Sequence, residues 1–479
     1  MPDTVHTPQA HCRLAITHEE ITPPVGIYHR MWGAASHDVA EGVHRPLRGT
    51  VLLTEPVDCG DRCLLVALDH CILRASDLDP LVKRAAAAAG VATEAVSVVF
   101  SHTHAAGLLG MDRVEMPGGE LIPAYLESLY QAIEDLVGRA VSQLEPVTLV
   151  YGEGFCDLAR QRDLWDSESN QYVCGFNPEQ DADSTLLVVK LEDAEGGWAG
   201  SIVNYGCHPT SLAWDNRLIS PDYPGAMRDL VEHQTGAPCL FVQGICGDLG
   251  PRDGFSGDPA VADRNGLQLG HAALSTLVSL PAAGTCQQYS GPVVSGATIG
   301  TWQHVELDQD RMHELRLWRQ ARWEIPLAYR EELEQGDEVR KRLQQWKDQE
   351  QQARTDQDLD HSQHCRAMAE RDRRLLARLG ELPSGDNYPY QVHAWQLGDS
   401  IWLLLPGEPY QQLQQELRAR FPGTPLLIAS NTGPWGPSYL VPEDCYGKGI
   451  YQETVAVLGP GCLEELTAHL AERIADWLK

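Results

Sequence analysis

Short apolar runs that stop abruptly at polar, glycine-containing loops set the rhythm of this chain. Val51-Leu-Leu, Leu64-Leu-Val-Ala-Leu68, Val96 to Phe100, Val147 to Gly154, Leu186 to Leu191, Ala199 to Tyr205, Cys239 to Gln243, Ile401 to Leu405 and Pro425 to Ala429 are dense in β-branched and aliphatic residues. Such runs predict strands. Leu14-Ala-Ile16 reads as a further strand entering the rigid turn Ile21-Thr-Pro-Pro-Val-Gly26. Apolar residues at helical spacing predict helices over Ser76 to Ala89, capped by Ser76 or Asp77, and over Ile122 to Leu144, Pro409 to Arg420 and Gly461 to Lys479. Asp58 to Arg62 and Gly196-Gly197 read as hairpin turns, and Leu158 to Asn177 as irregular chain. From Leu307 to Leu379 the sequence turns to Gln, Glu, Asp, Arg and Leu with few Gly or Pro, which predicts two long helices inserted as a hairpin and packed down by Trp318, Trp323 and Trp346.

The polar ends of the strands carry the interest. Phe100 is followed by Ser101-His-Thr-His104, Tyr205 by Gly206-Cys-His-Pro-Thr210, Gln243 by Gly244-Ile-Cys-Gly-Asp248, and Leu405 by Pro406-Gly-Glu408. Open α/β sheets gather their chemistry at such edges. The fold class expected is therefore α/β: a mixed central sheet with flanking helices, a metal site at strand C-terminal ends, and an inserted helical hairpin. Residues 12–479 read as a single domain with the insertion at 307–379. On an extended strand alternate residues share a face, so His102 and His104 are expected to point the same way.

A net charge of −30 over 479 residues argues against nucleic acid and anionic membrane surfaces as partners. The thirteen cysteines are odd in number and lack Cys-x-x-Cys pairs, Cys59 and Cys63 being the nearest approach. That usage, with no apolar h-region in Met1 to Arg13 and no membrane-length apolar run, leads us to expect reduced thiols, a cytoplasmic location and no transmembrane segment.

Two or three imidazoles with a carboxylate match the donors zinc prefers, and they leave a position open for water. Familiar metallohydrolase patterns fit poorly. There is no His-Glu-x-x-His helix, Ala106 and Gly107 stand where a His-x-His-x-Asp-His motif needs Asp and His, no Gly-x-Ser-x-Gly elbow occurs, and eight regular βα repeats are lacking. Asp222 and Asp248 are candidates either to orient ligating histidines or to cap their own loops.

Taken in order, Ser101-His-Thr-His104, Asn177-Pro with Thr185-Leu-Leu-Val-Val-Lys190, Asn204-Tyr-Gly-Cys-His-Pro-Thr210, Ser220-Pro-Asp-Tyr-Pro-Gly225, Gln243-Gly-Ile-Cys-Gly-Asp248, Leu405-Pro-Gly-Glu408 and Ser438-Tyr-Leu-Val-Pro442 resemble the N-terminal catalytic domain of the neutral/alkaline (non-lysosomal) ceramidase family. Members of that family are zinc amidohydrolases that cleave the N-acyl bond of ceramide. The resemblance implies Zn2+ held by His102, His208, Glu408 and Tyr439, with His104, Arg162 and Tyr451 around the scissile amide. It also implies a small-molecule or lipid-like N-acyl substrate attacked by metal-activated water. Tyr446 competes with Tyr451 for its role, and Arg160 with Arg162. Two departures from the family pattern stand out. Gly250 occupies the place of a serine in the Gly-Asp-x-Ser-Pro loop, and the sequence ends without strands for the family's C-terminal immunoglobulin-like domain. The expected activity is a zinc-dependent amide hydrolase; the alternative is a non-catalytic relative that binds a ligand or partner.

Overall fold

The computed structural model describes residues 4–479 apart from Cys59 and Trp435. Eight strands form one mixed sheet in the spatial order Cys239–Gln243, Trp198–Tyr205, Thr185–Asp193, Glu145–Phe155, Gln9–Glu20, Arg48–Glu55, Cys63–Leu68 and Val96–Phe100. Neighbours are antiparallel through the middle and parallel at both edges. Side chains alternate between the faces. In Cys63–Leu68, Leu64, Val66 and Leu68 pack beneath the helices Ala75–Ala89 and Ile122–Ser142, whereas Cys63, Leu65 and Ala67 face the opposite way. The helices Tyr223–Thr235 and Pro259–Ser279 cover the rest of the outer face.

The inner face meets a second, four-stranded sheet of Trp318–Ala328, Asn387–Leu397, Ser400–Leu404 and Leu426–Ala429. Between the sheets the stacked rings of Trp395 and Trp402 lie 5.6 Å apart. Gln412–Arg420 and Cys462–Trp477 close the far side. Strands covered on both faces account for the nearly continuous apolar runs in the sequence. The two edge strands of the large sheet converge at one end, where the segment after Ala429 bridges them: Ser430 N–H donates to Gln243 O (3.0 Å) and Gly433 N–H to Val98 O (2.7 Å). This bridge brings together loops that belong to opposite edges of the sheet.

Several expectations need correction. Residues 307–379 are not helical throughout, because Trp318–Ala328 is a strand paired along its length with Asn387–Leu397. Its Trp323, Ile325 and Leu327 are buried at period two, a signal hidden by the surrounding Arg, Gln and Glu. The helical hairpin proper is Gly336–Thr355 and Leu359–Leu379. Only Trp346 packs within it, edge-on to His364, while Trp318 and Trp323 pack against the sheets. Asp163–Asp166 and Gln171–Cys174 pair as a small hairpin where irregular chain was expected. Thr285–Ser295 and Ala297–Glu306 form a long, mostly exposed hairpin for which no element was expected. Helix Ala75–Ala89 has no side-chain cap; Asp77 is buried and accepts from Met111 N–H (3.3 Å). Every described cysteine is free, Cys59 lying outside the described residues. Among the described residues no helix is long and apolar enough to cross a membrane.

The helical hairpin is pinned by buried charge. Glu370 receives Arg113, Arg373 and Arg374 at 2.6–2.9 Å, and Arg366 pairs with Asp38. A Cβ on Gly33 would stand 3.1 Å from that of Ala367, so the Tyr28 to Asp38 loop and the hairpin meet closely.

Candidate metal centre

His102, His104 and His208 come together with Glu408. The ring centroids are 5.0 Å apart for His102–His104, 5.0 Å for His102–His208 and 5.7 Å for His104–His208. His102 and His104 face one centre, but not through strand alternation. The strand stops at Phe100, and His102 takes left-handed backbone angles (φ 65°), strained for a non-glycine residue. Its backbone N–H donates to His70 O (3.0 Å), which ties this turn to the neighbouring strand end. Glu408 arrives from the second sheet, held by its N–H to Ser438 O (2.9 Å) and by parallel pairing with Tyr439. Gly247 is glycine for a reason of space, since a Cβ there would lie 2.5 Å from Glu408 O.

Both buried imidazoles are fixed through Nδ1. His102 Nδ1 meets Cys71 O at 2.8 Å and His208 Nδ1 meets Cys246 O at 2.6 Å, which sets each Nδ1 as donor and leaves each Nε2 a lone pair. Those lone pairs converge on Glu408 Oε2, 3.5 Å from His102 Nε2 and 2.9 Å from His208 Nε2. The short second distance is not a hydrogen bond, for both atoms are buried and lack a donor between them. Facing lone pairs inside a protein demand a cation, either a proton or a metal ion. Burial alone would lower His102, but Cys71 and Glu408 beside it hold it well above the ordinary imidazole range, as befits the proton-filled state. Burial and Arg162 push His208 down to about 4, and burial with the two other imidazoles pushes His104 well below its usual range. A nitrogen–nitrogen–oxygen donor set within 4.8 Å fits zinc.

Around this centre stand the remaining expected residues. Tyr439 stacks beside His208 (6.4 Å between centroids), and its hydroxyl accepts from Arg162 Nη2 at 3.1 Å. Arg162 also donates to Gly247 O (2.7 Å), whereas Arg160 turns back to Asp157 (3.0 Å), so Arg162 is the arginine that faces the site. Half-exposed Tyr451 sits edge-on to Tyr439 at 6.0 Å, on the rim. Tyr446 instead donates to Leu458 O (2.8 Å) within the second core. Among the described residues neither candidate acid, Asp222 or Asp248, hydrogen-bonds to an imidazole. Asp222 caps Tyr223–Thr235 and accepts from Leu212 N–H (2.9 Å), while Asp248 accepts from Gln411 N–H (2.8 Å). The orienting acceptors are backbone carbonyls, which no side-chain pattern reveals.

Sequence reasoning also missed Cys71, whose Sγ is 3.7 Å from His102 Nδ1, and an aromatic wall beside His104. Trp32 stands 5.2 Å from the His104 ring and packs on Trp214 (6.1 Å) and Phe255 (5.8 Å). These three residues come from separate loops, and only the isolated tryptophans hinted at them.

Comparison with known proteins agrees with this architecture. Residues 13–247 match the family profile described as neutral/alkaline non-lysosomal ceramidase, N-terminal. Neutral ceramidase of Pseudomonas aeruginosa is 30% identical over 221 residues, covering 44% of this chain and 32% of that protein. Neutral ceramidase 2 of Arabidopsis thaliana is 27% identical over 227 residues, covering 44% and 29%. The matched regions thus span about a third of these relatives. The crystal structure of the Pseudomonas aeruginosa enzyme superposes with a TM-score of 0.62 at 18% identity, covering 98% of this chain and 74% of that one, which shows a common fold. On these grounds residues 13–247 carry the profile of the neutral/alkaline non-lysosomal ceramidase N-terminal domain, and the chain as a whole shares the fold of a neutral ceramidase.

Proposed function

We propose that this protein is a zinc-dependent hydrolase that cleaves an N-acyl amide or related carbonyl bond, with ceramide-like lipid amides the first substrates to test. The observation that carries the reading is the convergence of His102, His208 and Glu408 on one buried point, where His208 Nε2 and Glu408 Oε2 have no hydrogen-bond partner among the described residues. These residues, with Tyr439 beside them, would hold the ion. Zinc bound there would supply a water whose pKa is lowered to about 7.

The chain's own groups do the rest. His104, kept neutral by burial and by the neighbouring imidazoles, is a proton acceptor whose Nε2 lies 3.4 Å from His102 Nε2. Arg162, through its fixed guanidinium, orients the carbonyl and stabilises charge developing on its oxygen. Tyr451 at the rim adds a hydroxyl donor that orients the amide. Trp32, Trp214 and Phe255 offer the apolar portion of the substrate a wall that excludes water from the His104 side.

A second reading, a ligand-binding relative without turnover, draws on Gly250 in place of the family serine. Metal analysis combined with hydrolysis of a panel of N-acyl amides, ceramide included, separates the two. The hydrolase reading expects about one zinc per chain and turnover abolished in His102→Ala. A metal-free protein that leaves every amide intact refutes it.

A further inference from the structure

Beside the metal centre lies a small niche that none of the roles above uses. Gly250 forms its floor. A Cβ built there would meet only Thr210 Oγ1 at 3.8 Å and Arg162 Cδ at 3.9 Å, ordinary contact distances. Thr210 follows His208 by two residues, on a loop whose tight turn is closed by Thr210 N–H to His208 O (2.8 Å). Its side chain is buried, yet Oγ1 has no hydrogen-bond partner among the described residues. Arg162 Nε, the next atom along from the Cδ that walls the niche, is likewise buried without a partner, although Nη2 of the same group is engaged twice. Buried polar atoms are nearly always paired, so two unmet ones flanking one space mark a place where a ligand atom belongs. A hydroxyl and an N–H together ask for an acceptor oxygen.

We infer that the space over Gly250 is a substrate subsite for a small oxygen-bearing group, hydroxyl or carbonyl, next to the scissile bond, and that Thr210 Oγ1 reads that group. The inference rests on the hydrolase reading and makes Thr210 and Gly250 specificity-determining residues. Glycine at 250 keeps the niche open, and Arg162 links it to the Tyr439 side of the centre.

The experiment compares Thr210→Val, Thr210→Ser and Gly250→Ala with the wild type. It measures zinc content, thermal melting, kcat/KM on the best-turned-over amide, and the Kd of acetohydroxamate as a small oxygen-rich probe. Valine keeps the shape and removes the hydroxyl; it should lower kcat/KM by about 10- to 100-fold and weaken the probe, with zinc content and melting unchanged. Serine should restore most of the loss. Alanine at 250, which the backbone accommodates, should fill the niche and reduce kcat/KM to a similar degree. Wild-type kcat/KM in Thr210→Val, or a loss in Thr210→Ser as large as in valine, overturns this inference and leaves the hydrolase reading standing. A wild-type protein without zinc and without turnover overturns both.

Discussion

Asp248 offers the sharpest quantitative test, because its environment opposes its charge. The carboxyl is buried against the segment that follows Glu408, with Asp163 nearby; burial first, and then Asp163, raise it from 3.8 to about 7, against the pull of Gln411 N–H and Arg162. A folded-state value above the unfolded one means the native protein holds this proton more tightly. Stability therefore falls as pH rises from about 4 to about 7 and is flat above that range. The interval corresponds to about 4 kcal/mol at full ionisation. In Asp248→Asn the amide copies the protonated acid, offering one acceptor to Gln411 N–H and one donor, and it cannot ionise. The variant should match the wild type near pH 4.5 and exceed it at pH 8 by up to that amount, about 4 °C in melting temperature for a chain of this length. Calorimetric scans of both proteins across pH 4.5 to 8 make the comparison. Parallel curves, or a variant less stable than wild type at pH 8, would show that the carboxylate is solvated or paired in a way this reasoning excludes.

Three further outcomes follow from other parts of the molecule. Glu408→Gln keeps the shape of the site but removes its charge, and zinc affinity measured by competition with a chelator should fall by more than ~100-fold. Tyr451→Phe should lower kcat by about 10-fold while Tyr446→Phe leaves it unchanged, since only the former stands at the rim; equal effects would contradict the placement. Glu370→Ala leaves Arg113 buried without its carboxylate and should cost about 3–5 kcal/mol, read by denaturant unfolding and by new protease cuts in residues 336–379. Because burial opposes Glu370 but Arg374, Arg113 and Arg373 hold it down to about 2, its contribution should persist above the ordinary carboxylate range and vanish only as pH falls toward 2.

The strand ends were legible because apolar runs stop sharply where the chain leaves the sheet, as at Phe100, Tyr205 and Leu405. The meeting of their loops was not, because it depends on the convergence of the two sheet edges through Ser430 and Gly433, a long-range event with no local signature. His102 and His104 pointed to the site through their spacing, yet the geometry that unites them is a strained turn. Trp318–Ala328 was masked because charged residues on its exposed side dominate the composition, while its alternating Trp323, Ile325 and Leu327 carry the fold. Carbonyl acceptors such as Cys71 O and Cys246 O leave no trace in side-chain chemistry at all.

The helical hairpin departs from and returns to the last rung of one ladder, Ala328 facing Asn387. Its two ends are therefore about 5 Å apart, a gap that a short reverse turn spans. Excising residues 329–386 and splicing in such a turn would keep every strand in register, so this excursion is modular with respect to the sheets. The scar would fall on the surfaces the excursion covers: Arg113 and the Tyr28 to Asp38 loop lose their neighbour, and the Glu453 to Leu458 segment loses Tyr329 and Arg330.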